Sequence, residues 1–408
     1  MTYITLERFY YKNPDLYESE YSKRVASLST RVFDLPINSS HENTHNLFVI
    51  TNHEMLSKID RIYSASLTRI QNNYLNKNSI FVEQYIQKLM VEELIATNEI
   101  EGVTSTKAQI EAASISKDNK SRFYFITNKY KKLSLGFTTP FQNVSDFRDV
   151  YDDLMLHEIS IDKRPDGKLF RKDAVEILSG NGSQKVVHTP FKTEEGITIH
   201  LDILLKFMND GSVSKFVKIA LTHYYFEYIH PFYDGNGRTG RYIVSEMLYD
   251  FDPLLAFKIS KVIKDNQSRY LESFVATKNG YNRGDATPFV LYFLDMILTA
   301  SDEIDNDLLK SDMKLKKVDA YIRKTISESG KFTNQEIQNL YVFAQSKIVD
   351  VKLSLNDVAM NRNVSYPTVN NNIKSLLDEK LITKVPTMFG YYELTDDTYQ
   401  KILKTEIF

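Results

Sequence analysis

Between residues 55 and 300 apolar side chains recur at helical spacing in one segment after another, and β-type runs are confined to a short stretch near residues 174–190. A mainly α fold is therefore expected, since a 3.6-residue repeat cannot keep one face of a strand buried. Met55–Tyr74 and Ile80–Ile100 carry the repeat, the second through Phe81, Tyr85, Leu89, Leu94 and Ile95. Gly102 punctuates the end of that second helix, and Thr104-Ser105-Thr106 can cap the next one. Further helices are predicted over Val144–Leu154, Leu201–Met208, Lys215–Ile229, Thr239–Asp250 and Thr287–Ala300. The exception is a small hairpin, with Ala174–Leu178 and Lys185–His188 flanking the turn residues Gly180-Asn181-Gly182.

The 408 residues predict two or three domains. Residues 1 to about 50 read as an irregular arm, within an N-terminal region of residues 1–79. A helical catalytic region of residues 80–300 follows, then a charged, glycine-free linker helix over 301–317. Residues 318–408 form the last region. There Leu355–Arg362, Tyr366–Lys380, Ile382–Val385 and Tyr391–Leu394 follow the order of a winged helix-turn-helix. The net charge of −2 gives no global attraction to nucleic acid or anionic membrane. With no cysteine, disulfides, thiolate metal sites and cysteine nucleophiles are excluded. No apolar run approaches the ~20 residues of a membrane span, and no signal peptide precedes Leu6, so a cytoplasmic chain without a membrane partner is expected.

The densest chemistry is the string His230-Pro231-Phe232-Tyr233-Asp234-Gly235-Asn236-Gly237-Arg238-Thr239-Gly240-Arg241. Pro231 ends the preceding helix, which holds His230 beside an open loop. Gly235 and Gly237 tolerate positive φ and leave successive amides uncovered, a concavity suited to anions. The next helix adds its N-terminal amides and dipole to the same space. Arg238 and Arg241, three apart, share a face of its first turn and can grip phosphate as planar forks. Asp234 offers one carboxylate for Mg²⁺, with phosphates and waters supplying the rest. A histidine beside such a loop suggests phosphoryl-type transfer with a general base.

This string resembles the motif of the Fic family, HPFx(D/E)GNGRxxR, at every fixed position. The resemblance covers residues 80–300 and implies the mainly helical Fic fold with a small β-hairpin flap, and AMP transfer from ATP to a Ser, Thr or Tyr hydroxyl of a protein. By that likeness His230 is the base and Asp234 binds Mg²⁺. Gly235, Asn236, Gly237 and Gly240 shape the phosphate site, and Arg238 and Arg241 bind the leaving phosphates. Phe232 is expected to anchor the loop in the core. Relatives also carry an N-terminal inhibitory helix and a C-terminal winged helix.

Thr97-Asn98-Glu99-Ile100-Glu101-Gly102 places glutamates at the negative end of a helix dipole, which costs about 0.3–1 kcal/mol when exposed. Thr97 and Glu101 lie one turn apart on one face. The segment resembles the inhibitory motif (S/T)xxxE(G/N) of Fic proteins. That likeness implies a Glu101–Arg241 pair occupying the space of the γ-phosphate, with Gly102 closing the motif. The hairpin resembles the Fic flap, whose edge would add a strand from the target, with Val186, Val187 and His188 as edge positions. His188 also reads as an ordinary surface histidine. Tyr270 and Asn282 resemble the residues that bracket adenine in relatives. His223 reads as a helix-packing residue.

From Asp312 to Phe408, 14 Lys/Arg stand against 12 Asp/Glu, a weak basic footprint for DNA. Asn370, Asn371 and Asn372 can pair with adenine edges, and Arg362, Lys374, Lys380 and Lys384 are the phosphate candidates. Dimerisation or partner docking is the competing use of this region. Three functions thus stand: an autoinhibited adenylyltransferase acting on a protein target or on itself; the same loop serving another phosphate-containing donor or removing AMP; and a DNA-binding regulator with a nucleotide sensor. Self-association of relatives makes a homodimer a further expectation.

Overall fold

The computed structural model describes residues 3–38, 44–74, 80–116, 118–178, 186–386 and 390–407. It divides into two units, Met1–Leu67 with Met90–Ser301, and Thr68–Leu89 with Asp302–Phe408. No helix among the described residues is long and apolar enough to cross a membrane.

The N-terminal segment is more ordered than its sequence suggested. Helices α1 (Leu6–Lys12) and α2 (Tyr17–Val25) precede an antiparallel hairpin of β1 (Thr30–Asn38) and β2 (Thr44–Ile50). Phe33, Leu35 and Ile37 are buried on one face of β1, a period of two. Pro36 interrupts that run and cannot donate to the ladder, and the register shifts between Val32 and Pro36. That interruption is why the strand did not declare itself.

Five helices follow: α3 (His53–Gln71), α4 (Ile80–Ile100), α5 (Lys107–Ile115), α6 (Tyr124–Ser134) and α7 (Ser145–Met155). Thr106 and Gln109 close a capping box at the head of α5. The flap is β3 (Ile177–Leu178) paired antiparallel with β4 (Val186–His188). Its tip, residues 179–185 with Gly180 and Gly182, lies outside the described residues, as does the side chain of Val187. Then come α8 (Glu194–Met208), α9 (Lys215–Ile229), α10 (Asn236–Tyr249), α11 (Pro253–Ala256), α12 (Ile259–Asp265), α13 (Gln267–Lys278) and α14 (Thr287–Tyr321). Helix α9 is apolar on nearly every face, and twelve of its residues, Phe216 to Ile229, are buried. A helix of that pattern belongs in a core, and α9 packs between α8 and α10. It therefore carries His223, Glu227 and His230 into the interior of the first unit.

The second unit contains α15 (Asn334–Ile348), β5 (Leu353–Ser354), α16 (Leu355–Asn361), α17 (Tyr366–Asn372), α18 (Lys374–Asp378), β6 (Ile382–Lys384), β7 (Tyr391–Leu394) and α19 (Asp396–Lys404). Its sheet is antiparallel in the order β5-β7-β6, and its core gathers Phe343, Leu355, Val358, Val369, Ile373 and Leu394. The helix expected over Tyr366–Lys380 is interrupted at Ile373. Arg362, one of the candidate phosphate contacts, instead donates to the Gln335 carbonyl and to the side chains of Gln335, Gln338 and Asn339.

Candidate active site

The site grows from the end of α4. Gly102 adopts φ +72°, Val103 N–H donates to Asn98 O at 2.9 Å, and Gly102 N–H donates to Glu99 O at 3.0 Å. This reciprocal pair of bonds ends the helix sharply and makes Glu101 its cap residue. Lys264 forms an ion pair with Glu99, which answers one of the two unfavourable charges at the helix end. Glu101 finds Arg241: its Oε1 accepts from a terminal guanidinium nitrogen at 2.8 Å. Thr97, one turn earlier, accepts from Arg241 through Oγ1 at 2.9 Å and through its carbonyl at 3.1 Å. Arg241 is fully buried while the Glu101 side chain is 30% exposed. The structure thus brings Arg241 onto two residues of one helical turn that lie 140 and 144 positions earlier in the chain.

The loop before α10 is built to leave amides open. Gly235 has φ +85°, and a Cβ there would lie 3.0 Å from the Met155 side chain, so the close approach requires glycine. Thr239 N–H returns to Gly235 O at 3.0 Å, and the amides of Asn236, Gly237 and Arg238 form the first turn of α10, with no intrahelical partner. Glu101 lies against this turn: a Cβ on Gly237 would stand 2.1 Å from Glu101 Oε1. A carboxylate oxygen therefore already lies against the first turn of α10.

Other loop residues hold the loop itself. Phe232 is buried and stacked on Tyr151 at 3.8 Å, as its anchoring role required. Asn236, expected beside the phosphates, has its amide engaged with Phe232: Phe232 N–H donates to Asn236 Oδ1 at 2.9 Å and Asn236 Nδ2 donates to Phe232 O at 2.8 Å. Asp234 lies 3.6 Å from both Lys163 Nζ and an Arg238 terminal nitrogen, and stays partly exposed. Arg238 is buried, as is Gly240, where a Cβ would meet Glu227 Oε1 at 2.4 Å.

His230 ends α9 with φ +51° and ψ +63°, its N–H donating to Phe226 O at 3.0 Å. Burial, reinforced by the positive Arg171, pushes its imidazole down to about 4. It is therefore neutral near pH 7, the form that can accept a proton. Nδ1 lies 4.0 Å from a Glu227 carboxylate oxygen. Burial pushes Glu227 up to about 8, against the pull of Arg241. Neither Glu227 nor Arg171 was singled out from sequence. Both are recognisable only as charged residues inside apolar surroundings.

The flap and adenine-side residues are placed as follows. Val186 is exposed on β4. His188 is not an ordinary surface histidine: Nε2 meets Tyr228 O at 2.7 Å and Nδ1 meets Lys278 Nζ at 2.7 Å. With Lys278 as donor, Nδ1 accepts and Nε2 carries the proton, which fastens the flap to α9 and α13. Tyr270 is buried with its hydroxyl 2.6 Å from His223 Nε2, beneath the loop. Asn282 accepts from Glu7 N–H at 2.8 Å and donates to Ala276 O at 2.6 Å. Residues 282–285 dock the N-terminal segment, with Gly284 O accepting from Phe48 N–H at 2.8 Å and Arg283 pairing with Glu18.

His223 is buried, and burial, reinforced by Arg241, pushes it down to about 3. Its folded pKa lies below the unfolded value near 6.5, so the unfolded chain binds more protons between those limits and stability falls as pH drops through them. His223 alone contributes a loss on the order of 2 kcal/mol at pH 5. His223 should therefore lower urea midpoints from pH 7 to pH 5, and His223→Gln should remove that contribution. Because the raised Glu227 acts in the opposite sense over this range, the difference between wild type and His223→Gln decides: an identical pH dependence in both would contradict the buried neutral assignment.

A mainly helical fold that presents helix amides, two arginines, one carboxylate and a neutral histidine together has the chemistry to hold a phosphate beside a base. Residues 143–248 match the Fic/DOC family. The chain is 21% identical over 265 residues to the protein adenylyltransferase Fic of Aedes aegypti, covering 61% of this chain and 48% of that protein. It is 24% identical over 252 residues to that of Nematostella vectensis, covering 59% and 53%. The chain thus spans about half the length of these curated relatives. A Fic family protein from Desulfovibrio desulfuricans G20 superposes with a TM-score of 0.50 at 20% identity, over 85% of this chain and 97% of that one, a likeness of fold.

Proposed function

We propose that this chain is a protein adenylyltransferase held in an inhibited state by Glu101. The observation that carries the reading is the position of the Glu101 carboxylate, on the guanidinium of Arg241 and against Gly237 at the first turn of α10. That carboxylate occupies an anion site, and a site built for anions at this turn suits the terminal phosphates of ATP.

In the released state Arg241 and Arg238 hold the β- and γ-phosphates, and the amides of α10 face the same oxygens. The neutral His230 takes the proton of a Ser, Thr or Tyr hydroxyl as that oxygen attacks the α-phosphorus. The bond from the α-phosphorus to the bridging oxygen breaks, and pyrophosphate leaves. Asp234 fits a metal that arrives with the nucleotide: its carboxylate is partly exposed with only long ion pairs, and the described residues contain no ready-made group of three metal-binding side chains. Mg²⁺ held there would neutralise phosphate charge.

The flap supports target selection through main-chain pairing along β4 with Val186 exposed, which places little demand on target sequence. Incubation of the full chain with Mg²⁺ and ATP labelled in either the α- or the γ-phosphate tests the reaction. Label from the α position should be retained on protein and label from the γ position should not. Retention of γ-label instead would replace the adenylyl-transfer reading with a kinase-like one.

A further inference from the structure

Arg171 lies in Phe170-Arg171-Lys172-Asp173, ahead of the flap, and its side chain is fully buried. Burying a guanidinium is costly, and the usual compensation is a carboxylate partner. None of the ion pairs among the described residues includes Arg171. Its Nε donates to His230 O at 2.9 Å, one terminal nitrogen donates to Asp173 O at 2.7 Å, and the other is buried without a partner among the described residues. Its backbone N–H donates to Pro231 O at 3.2 Å. The residue thus grips the two consecutive carbonyls of His230 and Pro231.

The gripped position is a strained one. His230 has φ +51°, a left-handed conformation that costs a side-chain-bearing residue roughly 1–2 kcal/mol and persists only where the surroundings over-determine it. We propose that Arg171 is a positioning residue for His230: it locks the left-handed turn through the two carbonyls, so that the ring is held aimed, and it leaves a buried cation with no carboxylate partner among the described residues beside that turn. The inference rests on the transferase reading for its consequence in catalysis, but not for its structural content.

The charged and titratable groups facing His230 are Arg171 from the pre-flap segment, Glu227 from α9, Asp234 from the loop and His188 from β4. Asp234 favours the imidazolium and Arg171 opposes it. Burial pushes Arg171 down only to about 10, so it remains a cation near pH 7. Glu227, pushed up to about 8, is largely protonated there and adds little opposing charge.

The test is a histidine-ring NMR titration of the full chain, with the His230 signal identified by its loss in His230→Asn. The wild type should titrate well below 6.5, and Arg171→Gln should raise the midpoint by one unit or more. Arg171→Lys, which keeps the charge but not the fork, should stay within a few tenths of a unit of wild type. In labelling assays Arg171→Gln should move the acid limb upward with the midpoint and lower kcat about tenfold, with the KM for ATP little changed. A folded Arg171→Gln protein whose His230 midpoint and acid limb match wild type overturns the proposal. Should Arg171→Gln not fold, Arg171→Lys decides: a raised KM at unchanged kcat, or a midpoint near 6.5, overturns it equally. Because the titration needs no turnover, an absence of labelling in every variant would count against the transferase reading and leave Arg171 to be judged by NMR.

Discussion

Replacing His230 by alanine should lower AMP labelling by 10²- to 10⁴-fold, the range expected when a positioned general base is removed. The imidazole is neutral near pH 7, which suits it to receive a hydroxyl proton. Alanine at φ +51° adds a backbone penalty, so His230→Asn is the better partner variant, since asparagine tolerates this region. Both variants should still bind ATP, because the proposed phosphate contacts lie on α10 and the base does not supply them. Labelled ATP with equilibrium binding measured alongside separates the two effects. If both variants label at the wild-type rate, His230 is not the base.

Glu101→Gly should raise auto-labelling about tenfold or more. The contact it removes is a charge-assisted hydrogen bond of 2.8 Å to a buried guanidinium, worth about 1.5–3 kcal/mol in such settings, which corresponds to a ten- to hundredfold change in competition for Arg241. Thr97 retains its two contacts with Arg241 after the substitution, so the arginine stays aimed while its charge becomes available. Glu101→Gln, with similar shape and no charge, should fall between the two. The gain must also vanish in the Glu101→Gly, His230→Ala double variant, which ties it to the same base. A Glu101→Gly protein no more active than wild type would remove the inhibitory role of this pair.

Much of the fold was readable because helices declare themselves locally. Helix α4 was predicted over Ile80–Ile100 and observed there, and α9 was predicted over Lys215–Ile229 and observed there, since propensity, periodicity and the flanking Gly102 and Pro231 all agree. Where local signals conflicted, the reading failed. Pro36 hid the alternation of β1 and with it the ladder that makes β2 a strand, and Phe48 of β2 adds backbone bonds to residues 284–286 that are remote in sequence. Asn282, read beside adenine from its resemblance, also lies in a segment that docks the N-terminal residues Glu7, Glu18 and Phe48, which no local signal announces. His188 looked like a surface residue because a single sequence does not reveal that Tyr228 and Lys278 will close on it.

The sequence by itself determined the twelve-residue loop and its inventory: a histidine stopped by proline, two glycines that free amides, and arginines three apart. Those properties need only neighbours along the chain. The resemblance of Thr97–Gly102 already implied the Glu101–Arg241 pair, and tertiary structure decided the charge partners that no motif announced. Arg241 is held by Glu101 and Thr97, and Arg171 stands beside the His230 turn with no carboxylate of its own among the described residues. Charge in water is screened and carries little information about partners. Once α9 and α10 are buried, each charge must be answered at hydrogen-bond distance or left exposed to a large desolvation cost, and that requirement is met only by residues brought from far away in the chain.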